Sequence, residues 1–284
     1  MTVLAQGARA ELLRLRRWPA VWVMFGAWLL LNLTFTYVFR YLSYVGDGGG
    51  FNSDGLSKQQ ILAGIMPAGV PSAVLGGMPM FGGAILLTLG ALAAGNGYGW
   101  GTWKTVYIMR PRRALTAGGS LVALAAIVVA VVVVTFAVDL AVASTLGLAE
   151  GQDLVMPGLG ESVKALGAGV LILGMWTMGG FALGTLARGP ALAVGLGVVW
   201  VLAVENLLRG AAGLLSWLQP ITDVLPGTAT GSLVAALGSA TVANGGAPGV
   251  VANLSGATAT VLAAVYLAFF VVVTGFLVTR RDVA

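Results

Sequence analysis

Apolar residues fall in long unbroken runs along this chain, and polar residues gather between them. The run "AAIVVAVVVVTFAV" inside 118–140 holds one hydroxyl and no charge. A helix that crosses a bilayer needs about 20 largely apolar residues. Six stretches qualify, at about 18–39, 74–95, 118–140, 166–186, 190–208 and 258–278. Only "ARGP" separates the fourth from the fifth. Arg188 is costly in hydrocarbon and Pro190 suits the first turn of a new helix, so the pattern predicts two helices there. The second stretch contains Pro79 and several glycines.

The segments between the runs differ in kind. Before the first run, Leu4, Ala8, Leu12 and Leu15 recur at helical spacing, with Arg9, Glu11, Arg14, Arg16 and Arg17 among them. This predicts an amphipathic helix over about 4–17, lying on a membrane surface. A solvated basic tail is the alternative reading. The segment at about 209–257 is long, apolar and broken by Gly and Pro, too interrupted for a full span; short half-buried helices capping one face are expected there. No internal repeat supports an inverted-repeat transporter.

Composition makes the membrane reading firm. Of 284 residues, 58% are hydrophobic and only 9% charged, where a soluble domain carries about 25% charged residues. The 43 glycines suit helices that pack closely in lipid. Cys and His are both absent, which removes disulfides, thiolate chemistry, the commonest metal ligand and the usual general base. No metal site is expected. No short apolar core followed by a small-residue cleavage site opens the chain, so no removable signal peptide is read.

The net charge of +5 suggests nucleic acid only until the charges are placed. Eleven of the 15 cations fall at one end of a six-span arrangement: Arg9, Arg14, Arg16, Arg17, Lys104, Arg110, Arg112, Arg113, Arg188, Arg280 and Arg281. The acids Asp47, Asp54, Glu150, Asp153, Glu161 and Asp223 all fall at the other. This asymmetry predicts both termini in the cytoplasm and a multi-pass protein of the cell membrane, with a prokaryotic plasma membrane expected. Lipid headgroups, not nucleic acid, would meet the cations. The fold class expected is all-α, a single domain over 1–284.

Enzyme signatures are absent. There is no nucleotide-binding G-x-x-x-x-G-K-[ST] loop, no H-E-x-x-H and no G-x-S-x-G. Acids in or beside the spans are Asp139 and Glu205, and Arg209 stands four residues after Glu205, a helical neighbour spacing. Asp139, Glu205 and Arg209 form a candidate outer gate or polar contact; a locally neutralised pair near span ends is the alternative. The "NLT" at Asn32 matches a glycosylation pattern but lies in the first span.

The stretch "GYGWGTWKTVYIMRPRR" over 97–113 is basic and aromatic within an otherwise apolar chain. Gly95, Gly97, Gly99 and Gly101 are expected to break the second span. Thr102 is then expected to cap a short helix whose Trp103, Val106, Tyr107 and Met109 give it apolar and aromatic surface, with Trp103 and Tyr107 exposed for a protein or headgroup contact. Pro111 would end it, and Arg112 and Arg113 would anchor the third span; a basic loop that only enforces topology is the alternative reading.

On these residues the chain resembles the permease subunits of the ABC-2 type of ATP-binding-cassette exporter. Gly101, Thr102 and Arg113 fit the loop after the second helix of that family. The basic helix before span one, the six spans, "DVLPGTATGSL" before span six and the "TRRD" ending extend the resemblance over nearly the whole chain. Two departures stand out. The usual acid before Gly-Thr is replaced by Asn96 or Gly97, and the frequent Gly-Lys opening span three by "AGG" at 117–119.

The resemblance implies a transmembrane path shared with a second copy or a sister permease, and two separate ATP-binding subunits below it. ATP and Mg would sit on those subunits; this chain would bind no cofactor. The loop helix, through Gly101, Thr102, Trp103, Lys104, Thr105, Val106, Tyr107 and Arg113, and the interfacial helix, through Arg9, Glu11, Leu12, Arg14, Arg16 and Arg17, would transmit ATPase closure. The cargo implied is hydrophobic or amphipathic: a drug, an antibiotic or a lipid. A secondary transporter without an ATPase and a non-transporting membrane scaffold or sensor are the alternatives.

Overall fold

The computed structural model describes residues 3–46, 57–109 and 113–280. Helix is the only regular structure among them. Six helices are long and apolar enough to cross a membrane: α2 (Pro19–Val45), α5 (Met78–Gly99), α7 (Arg113–Ala149), α8 (Leu159–Ala187), α9 (Pro190–Ala212) and α12 (Gly256–Arg280). Shorter helices stand between them: α1 (Val3–Arg16), α3 (Lys58–Ile65), α4 (Val70–Ala73), α6 (Thr102–Met109), α10 (Gln219–Asp223) and α11 (Pro226–Ala236). The protein is an all-helical, multi-pass membrane protein.

The centre of the bundle is the α5–α8 pair, and glycine makes it. A Cβ on Gly180 would lie 1.9 Å from the Leu87 carbonyl oxygen, and one on Gly90 would lie 2.0 Å from that of Thr177. Backbone therefore meets backbone, the close approach that small residues permit between helices in lipid. Around this seam Leu87, Ile172, Leu173, Met175 and Phe181 are buried. α12 packs on α8, and α9 packs on α5, where Leu87 fills the space a side chain on Gly197 would need.

The break between α8 and α9 falls where the sequence places it. Arg188 adopts a left-handed conformation (φ 51°), Gly189 is extended, and Pro190 opens the next helix. The other ends shift. α2 runs to Val45 rather than stopping near 39, through a π-helical stretch at Thr34–Val38. α5 starts at Met78, after the separate short helix α4, which has Pro71 in its first turn. α7 reaches 37 residues, about 55 Å at 1.5 Å per residue and well beyond a ~30 Å hydrocarbon layer.

Of the four glycines expected to break α5, Gly99 and Gly101 stand at its end, but Gly95 and Gly97 do not break it. The helix continues through Gly95 and Gly97 to Gly99, and the turn falls at Gly101, whose φ of 67° is left-handed. Gly95 and Gly97 serve close contact instead. A Cβ on Gly95 would stand 2.7 Å from the Pro190 backbone, and one on Gly97 would stand 2.2 Å from Trp103 Nε1.

The 209–257 segment is also corrected. α11 is not half-buried: every residue from Pro226 to Val234 is buried. Its small side chains allow this, and Gly231 passes so close to the Gly249 carbonyl that a Cβ would lie 2.0 Å from it.

Candidate functional site

α2 and α7 are the first and third long helices, and they run parallel. Trp28 Nε1 donates to Thr135 Oγ1 (3.1 Å) and Asn32 Nδ2 donates to Asp139 Oδ1 (2.7 Å), each pair 107 residues apart. Advancing one turn on α2 thus advances one turn on α7. Their starts consequently lie at one end of the bundle. α1, which precedes α2, and α6, which precedes α7, meet there.

Both short helices are seated tightly. α1 lies against the first turns of α7, where the "AGG" of 117–119 lets the two backbones touch: a Cβ on Gly119 would lie 3.0 Å from Ala8 N and from Gly7 C. Leu15 is fully buried, while Leu12 and Leu13 remain exposed beside Arg9, Arg16 and Arg17. Glu11 accepts two hydrogen bonds from Arg14, from Nε at 3.0 Å and Nη2 at 2.5 Å. The Arg14 guanidinium also sits 5.7 Å over the Trp18 ring. Only Arg17 and Trp18 connect α1 to α2, so α1 leaves the bundle at a fixed point.

α6 is held by its tryptophan. Trp103 is not exposed as expected but only 7% accessible. Its Nε1 donates to the Ala94 carbonyl oxygen (2.9 Å), and its ring lies on Gly97 and 6.3 Å from that of Tyr98. An indole with its N–H satisfied buries readily, and the missing side chain at Gly97 provides the space. Val106 packs on the same core. Thr102, Lys104, Thr105 and Ile108 face outward, with Ile108 82% accessible. Trp100, just before the turn, is exposed instead. The helix begins at Thr102 itself, directly after Gly101, rather than being capped by it. The Tyr107 and Met109 side chains, and residues 110–112, lie outside the described residues.

A cleft of about 290 Å³ lies between the two helices, lined by Gly7, Glu11 and Arg14 of α1, by Trp103 and Val106 of α6, and by Trp100. The two residue groups read from the sequence as separate elements therefore form one surface. Arg9 of α1 and Lys104 of α6 are exposed outside the cleft lining, and Arg113 opens α7.

The other candidate residues lie elsewhere. Asp139 is fully buried ten residues before the end of α7 rather than near a helix end, and it binds Asn32; the Tyr37 hydroxyl donates to its backbone oxygen (3.2 Å). Glu205 is fully buried, accepts from Trp200 Nε1 (2.8 Å) and lies against Gly227 near the start of α11. Arg209 does not turn to that carboxylate. It bonds the Glu205 carbonyl oxygen (3.3 Å) and Asn206 Oδ1 (3.1 Å). Sequence reading missed Asn32, and it missed Tyr41 and Tyr44, which both donate to Glu150 (2.7 and 3.2 Å). The available signal was the four-residue spacing of Trp28, Asn32, Thr36 and Arg40 along one helix face.

Compared with known proteins, the chain matches no protein-family model and no curated protein.

Proposed function

We propose that the chain is the permease subunit of an ATP-driven exporter, and that the joint surface of α1 and α6 is where separate ATP-binding subunits dock. The observation that carries this reading is the convergence of the two helices on one cleft, each fixed to a different span. α1 is anchored on α7, and α6 is wedged by Trp103 against α5. A partner that changed its grip on this surface would move both spans at once. ATP binding shifts a permease only if the contacts differ between its states, and two rigid short helices on separate spans supply such a lever.

In this reading the α1–α6 end is cytoplasmic, which accords with its excess of Lys and Arg. Six traverses then return the C-terminus to the same side. α1 presents Leu12 and Leu13 to the inner lipid surface, and a second copy or sister permease completes the path. The chain itself hydrolyses nothing; ATP and Mg act on the partner. A cargo of amphipathic or hydrophobic character suits the apolar bundle.

One observation favours a second reading. Asp139 and Glu205 each keep a buried carboxylate oxygen without a hydrogen-bond partner, as an ion-coupled transporter would use. The two lie on different helices with different partners, so they do not form one site. Purification in mild detergent separates the readings. The exporter account expects an ATP-binding subunit to co-purify with the tagged chain and its ATPase activity to depend on Lys104 and Ile108. Transport that follows a proton gradient with no ATPase bound would establish the second reading.

A further inference from the structure

At the end of the bundle opposite α6, a cleft of about 210 Å³ opens between α2, α3, the start of α5 and the 238–248 turn. Its wall is one face of α2, where Trp28, Asn32, Thr36 and Arg40 follow at four-residue steps. From Trp28 to Arg40 this stripe rises about 18 Å at 1.5 Å per residue. Apolar groups, Phe35 and Phe81 among them, line the cleft beside the stripe, and Gln60 and Ser239 add polar groups to its lining.

Among the described residues Arg40 has no counter-charge. Its Nε is buried without a hydrogen-bond partner, and no acid among the described residues pairs with its guanidinium. It is held in place rather than left free in lipid: Gly64 of α3 leaves room for Nη1, which would stand 3.3 Å from a Cβ there. Deeper in the same cleft, Asn32 is 97% inaccessible and keeps its Oδ1 unpartnered. A half-buried guanidinium near the end of a membrane span, with no acid beside it among the described residues, is costly unless something anionic meets it. Planar donors of this kind suit phosphate and carboxylate.

We infer that this cleft binds an anionic amphiphile, with its phosphate or carboxylate on Arg40 and its apolar tail running down the α2 face past Phe35 toward Trp28. The volume accommodates a headgroup and the first part of a tail. The inference deepens the exporter reading by naming the chemistry of its cargo, and it rests on that reading only for the word cargo. Binding is tested on the chain without any ATPase, so its failure leaves the docking surface untouched, and loss of the docking surface leaves the cleft untouched.

The test uses the full chain in nanodiscs of zwitterionic lipid, titrated with dodecyl phosphate, inorganic phosphate and dodecyltrimethylammonium. Saturable binding of dodecyl phosphate is expected, with inorganic phosphate and the cationic amphiphile both at least about tenfold weaker, because head and tail each contribute. Arg40→Gln is expected to weaken dodecyl phosphate by about tenfold or more, and Arg40→Lys by less, since it keeps the charge but loses the planar fork. Adding phosphatidylglycerol to the disc tells the sources apart: competition identifies a bilayer lipid headgroup as an occupant, and its absence identifies a free amphiphile. Equal binding by native protein and Arg40→Gln would overturn the inference, as would equal binding of the cationic amphiphile or of inorganic phosphate. If Arg40→Gln does not fold, the ranking of the three probes on native protein decides alone.

Discussion

Asn32 and Asp139 stand 107 residues apart in the chain, and the Asn32 amide donates to the Asp139 carboxylate at 2.7 Å with both side chains buried. Together with the Trp28–Thr135 bond one turn away, this contact sets the register of α2 on α7. Replacing Asn32 with Leu should lower stability by about 1 kcal/mol, the usual scale of a hydrogen bond between membrane helices. Asn32→Leu combined with Asp139→Leu should cost less than the sum of the two single changes, because neither variant group then leaves a buried partner unpaired. Unfolding in mixed detergent micelles reads both quantities. Additive costs would show that the bond does not couple the helices.

The α5–α8 seam makes a second expectation. Gly180→Ala places a methyl 1.9 Å from the Leu87 carbonyl oxygen, and overpacking of this kind costs about 1–3 kcal/mol. Gly195 in α9 is exposed, with nothing within 4 Å of its Cβ position. Gly195→Ala should therefore be neutral or slightly stabilising. The same unfolding assay checks the contrast, and similar effects at the two sites would refute the seam.

The spans were legible in the sequence because a long apolar run has few other meanings, and the Arg188–Pro190 break was legible because charge and proline coincide there. Helix ends were less legible. α2 passes Thr36 and Arg40 because a cleft receives their face, and α7 passes Asp139 because Asn32 meets it. The α2 face showed only as a four-residue spacing, and the partner of Asp139 lies 107 residues away. Trp103 read as exposed because its site is made by the absence of a side chain at Gly97. α11 read as half-buried because small residues look the same on a surface and in a tight core. The two short helices were found, but not that they share a cleft.

Seating of α6 depends on Gly97. Gly97→Ala brings a methyl to 2.2 Å from Trp103 Nε1, so the indole must leave or the helix must move. Amide hydrogen exchange over 102–109 should accelerate by an order of magnitude or more, since each 1.4 kcal/mol of lost local protection is about tenfold. Exchange in α8 should stay unchanged. Protection retained at 102–109 would show that Trp103 does not hold the helix.

Sidedness is directly measurable, because the chain contains no cysteine. Single cysteines at Lys104 and at Asp153 should react oppositely with a membrane-impermeant maleimide in intact cells: Asp153→Cys labelled, Lys104→Cys labelled only after lysis. Labelling of both from outside would contradict six crossings with α6 in the cytoplasm.

The central claim is that α1 and α6 together receive an ATP-binding subunit. A photoreactive amino acid placed at Lys104, at Arg9 and, as a control, at exposed Leu192 on α9 tests it most directly. Irradiation in membranes should join the first two positions, and not the third, to an ATP-binding protein, with a yield that changes when ATP is added. Cross-links at Lys104 and Arg9 that reach only lipid, with ATP making no difference, would contradict the account.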